Sequence, residues 1–140
     1  MTPLERRQKV TLATVAKVQA RPFKLGVNDC ARMVAFHARQ LGWKVKAAPA
    51  GSYHSIVKAQ AELKKLGVAN LPEAMDACGI PRIAPAFALL GDVMEIQGDH
   101  PLGTLGICMG NGRIICFHED HPGTVILQPA APITAWNLLP

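Results

Sequence analysis

The sequence contains few charged residues and few aromatic residues, and it has no long apolar run. Charged residues make up 18% of the 140 residues and hydrophobic residues make up 49%. This balance argues against a disordered chain, and the length fits a single domain spanning residues 1–140. Aromatic residues make up only 5%. No run of Lys or Arg is interleaved with them, so we expect no nucleic-acid partner.

The chain also lacks the cysteine pattern and the apolar segment of a secreted or membrane-spanning protein. Its four cysteines lie at positions 30, 78, 108 and 116, without a C-x-x-C spacing. The stretch from Val10 to Ala20 is interrupted by Lys17 and is too short for a membrane span or a signal peptide. We therefore expect folding in a reducing cytoplasm. The net charge of +5 suits an anionic partner such as a bacterial cell wall, or simply reflects a mildly basic surface.

Helical patterns fill the first half of the sequence, and short strand-like runs fill the second half. Thr2, Pro3 and Glu5 predict a helix start, and Pro22 ends that helix after about Ala20. Further helices are predicted at 30–41, 55–66 and 70–79, and strands at 93–96, 105–109, 113–117, 124–127 and 133–138. Helices followed by strands predict an α+β domain with an antiparallel sheet.

Cys30 is the residue with the clearest chemical potential. It lies where a predicted turn becomes a helix, and a helix N-terminus presents unpaired N–H groups and a partial positive charge. Both favour the thiolate, which is the nucleophilic form of cysteine. A papain-like cysteine hydrolase needs this arrangement, although an inert core thiol has the same local sequence. The preceding Asp29 is predicted to fix the turn as a helix-start carboxylate.

Four segments, taken in order, resemble one protein family. The Pro-Phe-x-x-Gly-x-x-Asp-Cys pattern ending at Cys30 is similar to phage members of the NlpC-type cell-wall peptidases. Leu90–Met94 resembles their Pro-Gly-Asp strand, 104–115 resembles their following hairpin, and Ala135–Leu138 resembles the closing strand of short phage tail relatives. The resemblance implies a papain-like NlpC-type fold, in which a central helix carrying the Cys30 nucleophile packs on a C-terminal antiparallel sheet.

The sequence departs from that family at three positions around the expected site. Thr104 stands where the family's catalytic histidine opens the hairpin strand, and threonine cannot act as a general base near neutral pH. Cys116 stands at the third polar position, which is usually a histidine. Leu25 stands where active relatives often carry an aromatic residue. Together these departures suggest that hydrolysis has been lost.

Two other histidines could replace the missing base. His118 lies in the strand of Cys116 and shares its face, because strand side chains alternate. Cys30 and His118 are therefore the predicted catalytic pair, if one exists. His100 could reach the same face if its strand extends far enough. A surface or packing role is the alternative for each histidine.

The remaining histidines are weaker candidates for a catalytic base. His37 lies two helical turns from Cys30, roughly 10 Å along the axis, which is too far for a hydrogen bond. His54 falls in a loop and His121 in a turn. None of the three is assigned a catalytic role.

The aromatic residues have mainly structural interpretations. Tyr53 either lines the cleft near Cys30 or packs as a half-buried side chain. Trp43 and Trp136 are predicted to be core anchors rather than platforms for a substrate.

Two cysteines and two histidines, the residue types that bind zinc, crowd together near the end of the chain. If a two-residue turn closes the hairpin, Ile107 faces Cys116 and Cys108 points to the opposite face. That geometry separates the candidate ligands Cys108, Cys116, His118 and His121. We therefore predict no metal and no cofactor.

The resemblance implies a tail-tip or tail-assembly protein of a phage or prophage-like particle. Such a protein is made in the bacterial cytoplasm and incorporated into the virion tail, where other tail-tip and hub proteins are its partners. We expect a structural role, that of a pseudoenzyme. One alternative is an active peptidoglycan cysteine peptidase that uses Cys30 during cell-wall penetration. A second alternative is a stand-alone papain-like amidase or acyltransferase.

Overall fold

The structure, a computed structural model, describes residues 1–98, 101–118 and 121–140. Within these ranges the chain forms four α-helices followed by six β-strands, and the predicted α+β class is confirmed. The helices are α1 (Pro3–Gln19), α2 (Cys30–Gln40), α3 (Ile56–Lys65) and α4 (Leu71–Ala77). The strands are β1 (Arg82–Ile83), β2 (Val93–Ile96), β3 (Thr104–Cys108), β4 (Ile114–Phe117), β5 (Thr124–Leu127) and β6 (Pro132–Trp136). A short 3-10 turn, Pro85–Phe87, lies between β1 and β2.

Each α-helix begins at a polar side chain that caps its first turn. The caps are Thr2, Asp29, Ser55 and Asn70, and each side-chain oxygen accepts the N–H three residues later at 2.9–3.1 Å. One such cap contributes about 1 kcal/mol, because it satisfies an N–H group that has no partner within the helix. The helix starts expected from the sequence are therefore confirmed.

The strands form one sheet with the order β1-β6-β2-β3-β4-β5, in which all neighbouring strands are antiparallel. The predicted antiparallel sheet is confirmed. The structure adds β1, whose two residues are too few to produce a strand pattern in the sequence. The last strand ends at Trp136 rather than at Leu138.

The β3–β4 hairpin has a different register from the predicted one. Ile107 pairs with Ile115 instead of Cys116. The reason is a connection of five residues, 109–113, in place of the expected two-residue turn; two of its glycines adopt positive φ values. Consequently Cys108 and Cys116 lie on the same face of the sheet, where both belong to one buried cluster.

The two faces of the sheet bury different sets of side chains. Helix α2 packs on the face that carries Leu105 and Ile107, and the main core lies there. Met94, Ile114 and the two cysteines of the hairpin form a smaller cluster on the other face. Trp136 is completely buried in the main core, as predicted for a core anchor.

A buried ion pair joins α1 to the segment just before β2. Arg7 donates from Nη1 to Asp92 Oδ1 at 2.8 Å, and both side chains are buried. Arg7 also donates to the Leu90 carbonyl at 2.8 Å and to Asn137 Oδ1 at 3.0 Å. Asp92 Oδ1 accepts the Leu138 N–H at 2.9 Å. This network fixes the end of the chain against α1.

Among the described helices, none combines the length and the apolar character needed to cross a membrane.

Candidate functional site

Cys30 is the first residue of α2, and it lies beside the first residues of β3. The residue is partly exposed, and the backbone N–H of Leu105 is near enough to lower the pKa of its thiol. A thiol at a helix start against a central strand is the placement that the sequence predicted. The structure therefore holds the sulfur between two rigid elements.

The carboxylate of Asp29 organises the turn in front of Cys30. Its Oδ1 accepts the Arg32 N–H at 2.9 Å, and its Oδ2 accepts the Gly26 N–H at 2.7 Å and the Tyr53 hydroxyl at 2.8 Å. Only 3% of Asp29 is exposed. The predicted role of Asp29 in fixing the turn is confirmed, whereas its bond to Tyr53 was not foreseen.

Gly26 allows the two loops of the site to approach each other. Its φ is +85°, and a Cβ at this position would overlap the Tyr53 carbonyl oxygen. The Gly26 carbonyl in turn accepts the Gly51 N–H at 2.9 Å. A larger residue at position 26 would therefore separate Tyr53 from Asp29.

The surroundings of Cys30 favour the neutral thiol. Burial raises the pKa of Cys30 to about 11, and the negative charge of Asp29 acts in the same direction. The Leu105 N–H lowers the pKa, but by less than burial raises it. Because the thiolate is the nucleophilic form, Cys30 is a poor nucleophile near neutral pH in this state. Burial also raises the pKa of Tyr53.

A cavity of about 590 Å³ brings the predicted site residues together. Cys30, Thr104, Cys116 and His118 all line it, and Leu25 lines it as well. Thr104 opens β3, the strand that touches Cys30. Burial raises the pKa of Cys116 to about 11, so this residue is also a neutral thiol. Thr104 stands where the family resemblance implies a catalytic histidine, so this position supplies a hydroxyl group instead of an imidazole.

Two exposed histidines, His118 and His121, lie at the rim of this cavity. His54 is exposed and does not line it. His100 lies outside the described residues. Among the described residues, two imidazoles therefore line the cavity of Cys30. One of them is His121, for which the sequence predicts a turn and no catalytic role.

His37 has a structural role, in agreement with the prediction that it is too far along the helix to act on Cys30. It is completely buried, and its Nε2 donates to the Gly91 carbonyl at 2.8 Å. Its Nδ1 lies 2.8 Å from the Thr14 hydroxyl. Burial lowers the pKa of His37, which favours the neutral ring. The side chain therefore joins α1 and α2 to the segment before β2.

Across residues 1–98, 101–118 and 121–140, no group of three or more His, Cys, Asp or Glu side chains is arranged to hold a metal ion. The predicted separation of Cys108 from Cys116 was wrong, because the hairpin register places both on one face. Burial raises the pKa of Cys108 to about 12, so its thiol is neutral.

The inner part of the cavity was not predicted. Helices α3 and α4 contribute Ala59, Leu63, Leu71 and Met75 to its wall. Their apolar spacing indicated only buried helix faces, which the sequence cannot distinguish from the lining of a cavity.

A protein-family model matches residues 2–138 of the chain, and its description is a domain of unknown function, DUF6950. No curated protein matches the chain.

Proposed function

The chain belongs to the DUF6950 family, and from its site we propose that it is a papain-like domain of the NlpC type that has lost hydrolysis and serves as a structural subunit of a phage tail tip. The observation that carries this proposal is the state of Cys30. The thiol has the helix-start position of a papain-like nucleophile, yet its surroundings raise its pKa to about 11.

The chemistry of hydrolysis explains why this observation matters. A cysteine peptidase needs a thiolate to attack the carbonyl and an acid to protonate the leaving amine. Thr104 can supply neither function at the start of β3. General acid–base help contributes roughly 100- to 10,000-fold in rate, so its loss leaves little turnover.

The connections around Asp29 support a structural role for the same site. Its bonds to Gly26, Arg32 and Tyr53 close two loops without involving the sulfur of Cys30. They stabilise the fold whether or not Cys30 reacts. A scaffold that has lost catalysis would retain this part of the site.

Large apolar side chains that are exposed in the chain support incorporation into a larger assembly. Phe87 is 74% exposed, Leu89 is 57% exposed and Ile133 is 52% exposed. The 3-10 turn that holds Phe87 packs against β6, which holds Ile133. We expect hub or tail-tip proteins to cover these side chains, because large apolar surfaces exposed in a subunit are buried in its assembly.

A second candidate function is an active peptidoglycan peptidase. It is favoured by the presence of His118 and His121 on the cavity that Cys30 lines. If substrate binding brings either imidazole to the sulfur, an ion pair would lower the pKa of Cys30 and restore the thiolate.

The decisive experiment assays the purified protein on peptidoglycan fragments and detects free amines. Wild type and Cys30→Ala are expected to be equally inert, while mass spectrometry of purified particles detects the protein in tails. Cys78→Ala is the matched control, because Cys78 also lines the cavity. Turnover that is lost in Cys30→Ala and His118→Ala but kept in Cys78→Ala would establish the peptidase instead. Absence of the protein from purified tails would refute the structural role.

A further inference from the structure

The cavity beside Cys30 is larger than a papain-like cleft needs for its thiol alone. Its volume of about 590 Å³ falls within the range of roughly 300–1,000 Å³ that is typical of small-molecule sites. It extends from the start of α2 to walls made by α3, α4 and the beginning of β3.

The inner walls of the cavity are almost entirely aliphatic. Val34, Leu63, Met75 and Leu105 line it from α2, α3, α4 and β3 respectively. The space between them exists because many lining positions carry only a methyl group: Ala31, Ala35, Ala38, Ala47, Ala48, Ala59 and Ala74. An apolar cavity of this kind excludes water and favours an apolar ligand.

The charged groups on the cavity favour an anionic head group. Of the two acidic residues in the lining, Asp29 is occupied by three hydrogen bonds and Glu62 accepts from Lys65 at 3.1 Å. The cations differ. Arg32 donates to the neutral Ala48 carbonyl at 2.9 Å, and Lys46 is exposed in the same segment. Neither cation forms an ion pair with another residue in the described part of the chain.

We infer that this cavity binds an unbranched aliphatic chain of the fatty-acid class, with its carboxylate head beside Arg32 and Lys46. The inner walls offer few polar groups, so a peptide would lose the hydrogen bonds of its amides there. An aliphatic chain has no such cost and gains from leaving water. This inference goes beyond the proposed scaffold role and holds whether or not Cys30 is catalytic.

Isothermal titration calorimetry with decanoate, dodecanoate and tetradecanoate tests the chain-binding part. The affinity should rise by up to about fourfold for each added methylene until the cavity is full. Ala59→Phe should weaken dodecanoate binding at least about tenfold, because the ring fills the space. Ala61→Phe is the matched control on the same helix, since Ala61 is exposed and lies outside the lining.

Two lysine variants test the predicted position of the head group. Lys46→Gln should weaken dodecanoate about two- to fivefold and leave dodecanol binding unchanged, as expected for one exposed ion pair. Lys44→Gln should change neither, because Lys44 is exposed and does not line the cavity.

Thermal unfolding shows whether Ala59→Phe still folds, and Ala59→Leu offers a smaller obstruction if it does not. Titration with free dodecanoate and incubation with phosphatidylcholine vesicles distinguish a free fatty acid from a membrane lipid as the source of the chain. An affinity that does not depend on chain length would overturn the inference. So would equal losses in the Ala59 and Ala61 variants, or no binding by a folded wild-type protein.

Discussion

Two buried aspartates anchor this protein, and their carboxylates are hydrogen-bonded in different ways. Asp92 is paired with the buried guanidinium of Arg7 at 2.8 Å. Asp29 is held by two backbone N–H groups and by the Tyr53 hydroxyl, all of which are neutral donors. The first arrangement locks α1 to the sheet and the end of the chain. The second leaves a negative charge beside Cys30, where it raises the pKa of the thiol.

The difference shows that a buried carboxylate can hold a turn in place and at the same time disfavour ionisation of a neighbouring thiol. Both carboxylates are satisfied, so both contribute to the fold. Only Asp29 also acts on a reactive group, and it acts against ionisation of that group. The backbone N–H groups of Ala31 and Leu105 lower the pKa of Cys30, but they do not offset the burial of its sulfur.

The comparison predicts the largest loss of stability at the ion pair. Asp92→Ala leaves the buried charge of Arg7 without a carboxylate, and we expect the free energy of unfolding to fall by about 3–5 kcal/mol. Urea denaturation followed by circular dichroism measures this change. Arg82→Met, which removes an exposed ion pair with Asp76, should have little effect. Equal losses in the two variants would show that burial of the pair does not matter.

A smaller loss in the free energy of unfolding is expected when the neutral donors around Asp29 lose its carboxylate as their acceptor. Asp29→Ala removes the cap of α2 and leaves the Tyr53 hydroxyl and the Gly26 N–H without it, for a loss of about 1–3 kcal/mol. The same urea titration applies, with Ser55→Ala as the control because Ser55 caps α3 at an exposed site. A greater loss at Ser55 than at Asp29 would contradict the importance of the buried network.

The smallest expected effect concerns the titration of Cys30. Its alkylation by iodoacetamide, followed by peptide mass spectrometry, should accelerate as the pH rises towards a pKa of about 11. Asp29→Asn should move that profile to lower pH, because it removes a negative charge that disfavours the thiolate. An unchanged profile would assign the raised pKa to burial alone. Rapid alkylation at pH 7 would contradict the neutral thiol.

The same pKa has a consequence for stability. The pKa of Cys30 rises from an ordinary value of 9.0 to about 11 in the folded protein, so the unfolded chain ionises first as the pH increases. The stabilisation from burying the neutral thiol is therefore complete below pH 9 and is lost between pH 9 and about 11. Cys30→Ser should reduce this part of the alkaline loss.

Local signals in the sequence predicted much of the fold. Signals at the helix ends, such as Thr2, Pro22 and Asp29, and the apolar periodicity placed α1 to α4 to within a few residues, because these signals act over a few positions. The strand runs predicted five of the six described strands. The hairpin register was missed because a loop of five residues with two positive-φ glycines cannot be distinguished from a two-residue turn by composition alone.

Features that depend on distant residues were beyond the sequence. Arg7 and Asp92 are separated by 85 positions, and a charged residue on the first helix ordinarily indicates a solvent-exposed face. The Asp29–Tyr53 bond could not be predicted for a similar reason, because it joins two separate loops. The aliphatic cavity was hidden because alanine is an ordinary helix residue, and only the packing of three helices shows that the methyl groups leave a space.

The position of β6 between β1 and β2 affects the order in which the protein can fold during synthesis. The helices and the β2–β3–β4 hairpins emerge first, but the hydrogen-bonding edge of β2 stays open until residues 132–136 arrive. Asp92 likewise lacks one hydrogen bond until Leu138 has been made, because its Oδ1 accepts the Leu138 N–H at 2.9 Å. A nascent chain in this state presents an unpaired strand edge, which is the feature that promotes aggregation. Such non-local pairing is also slow to form. Residues 132–136 therefore close the sheet after the other strands have been made, and until then the edge of β2 is exposed to misassembly.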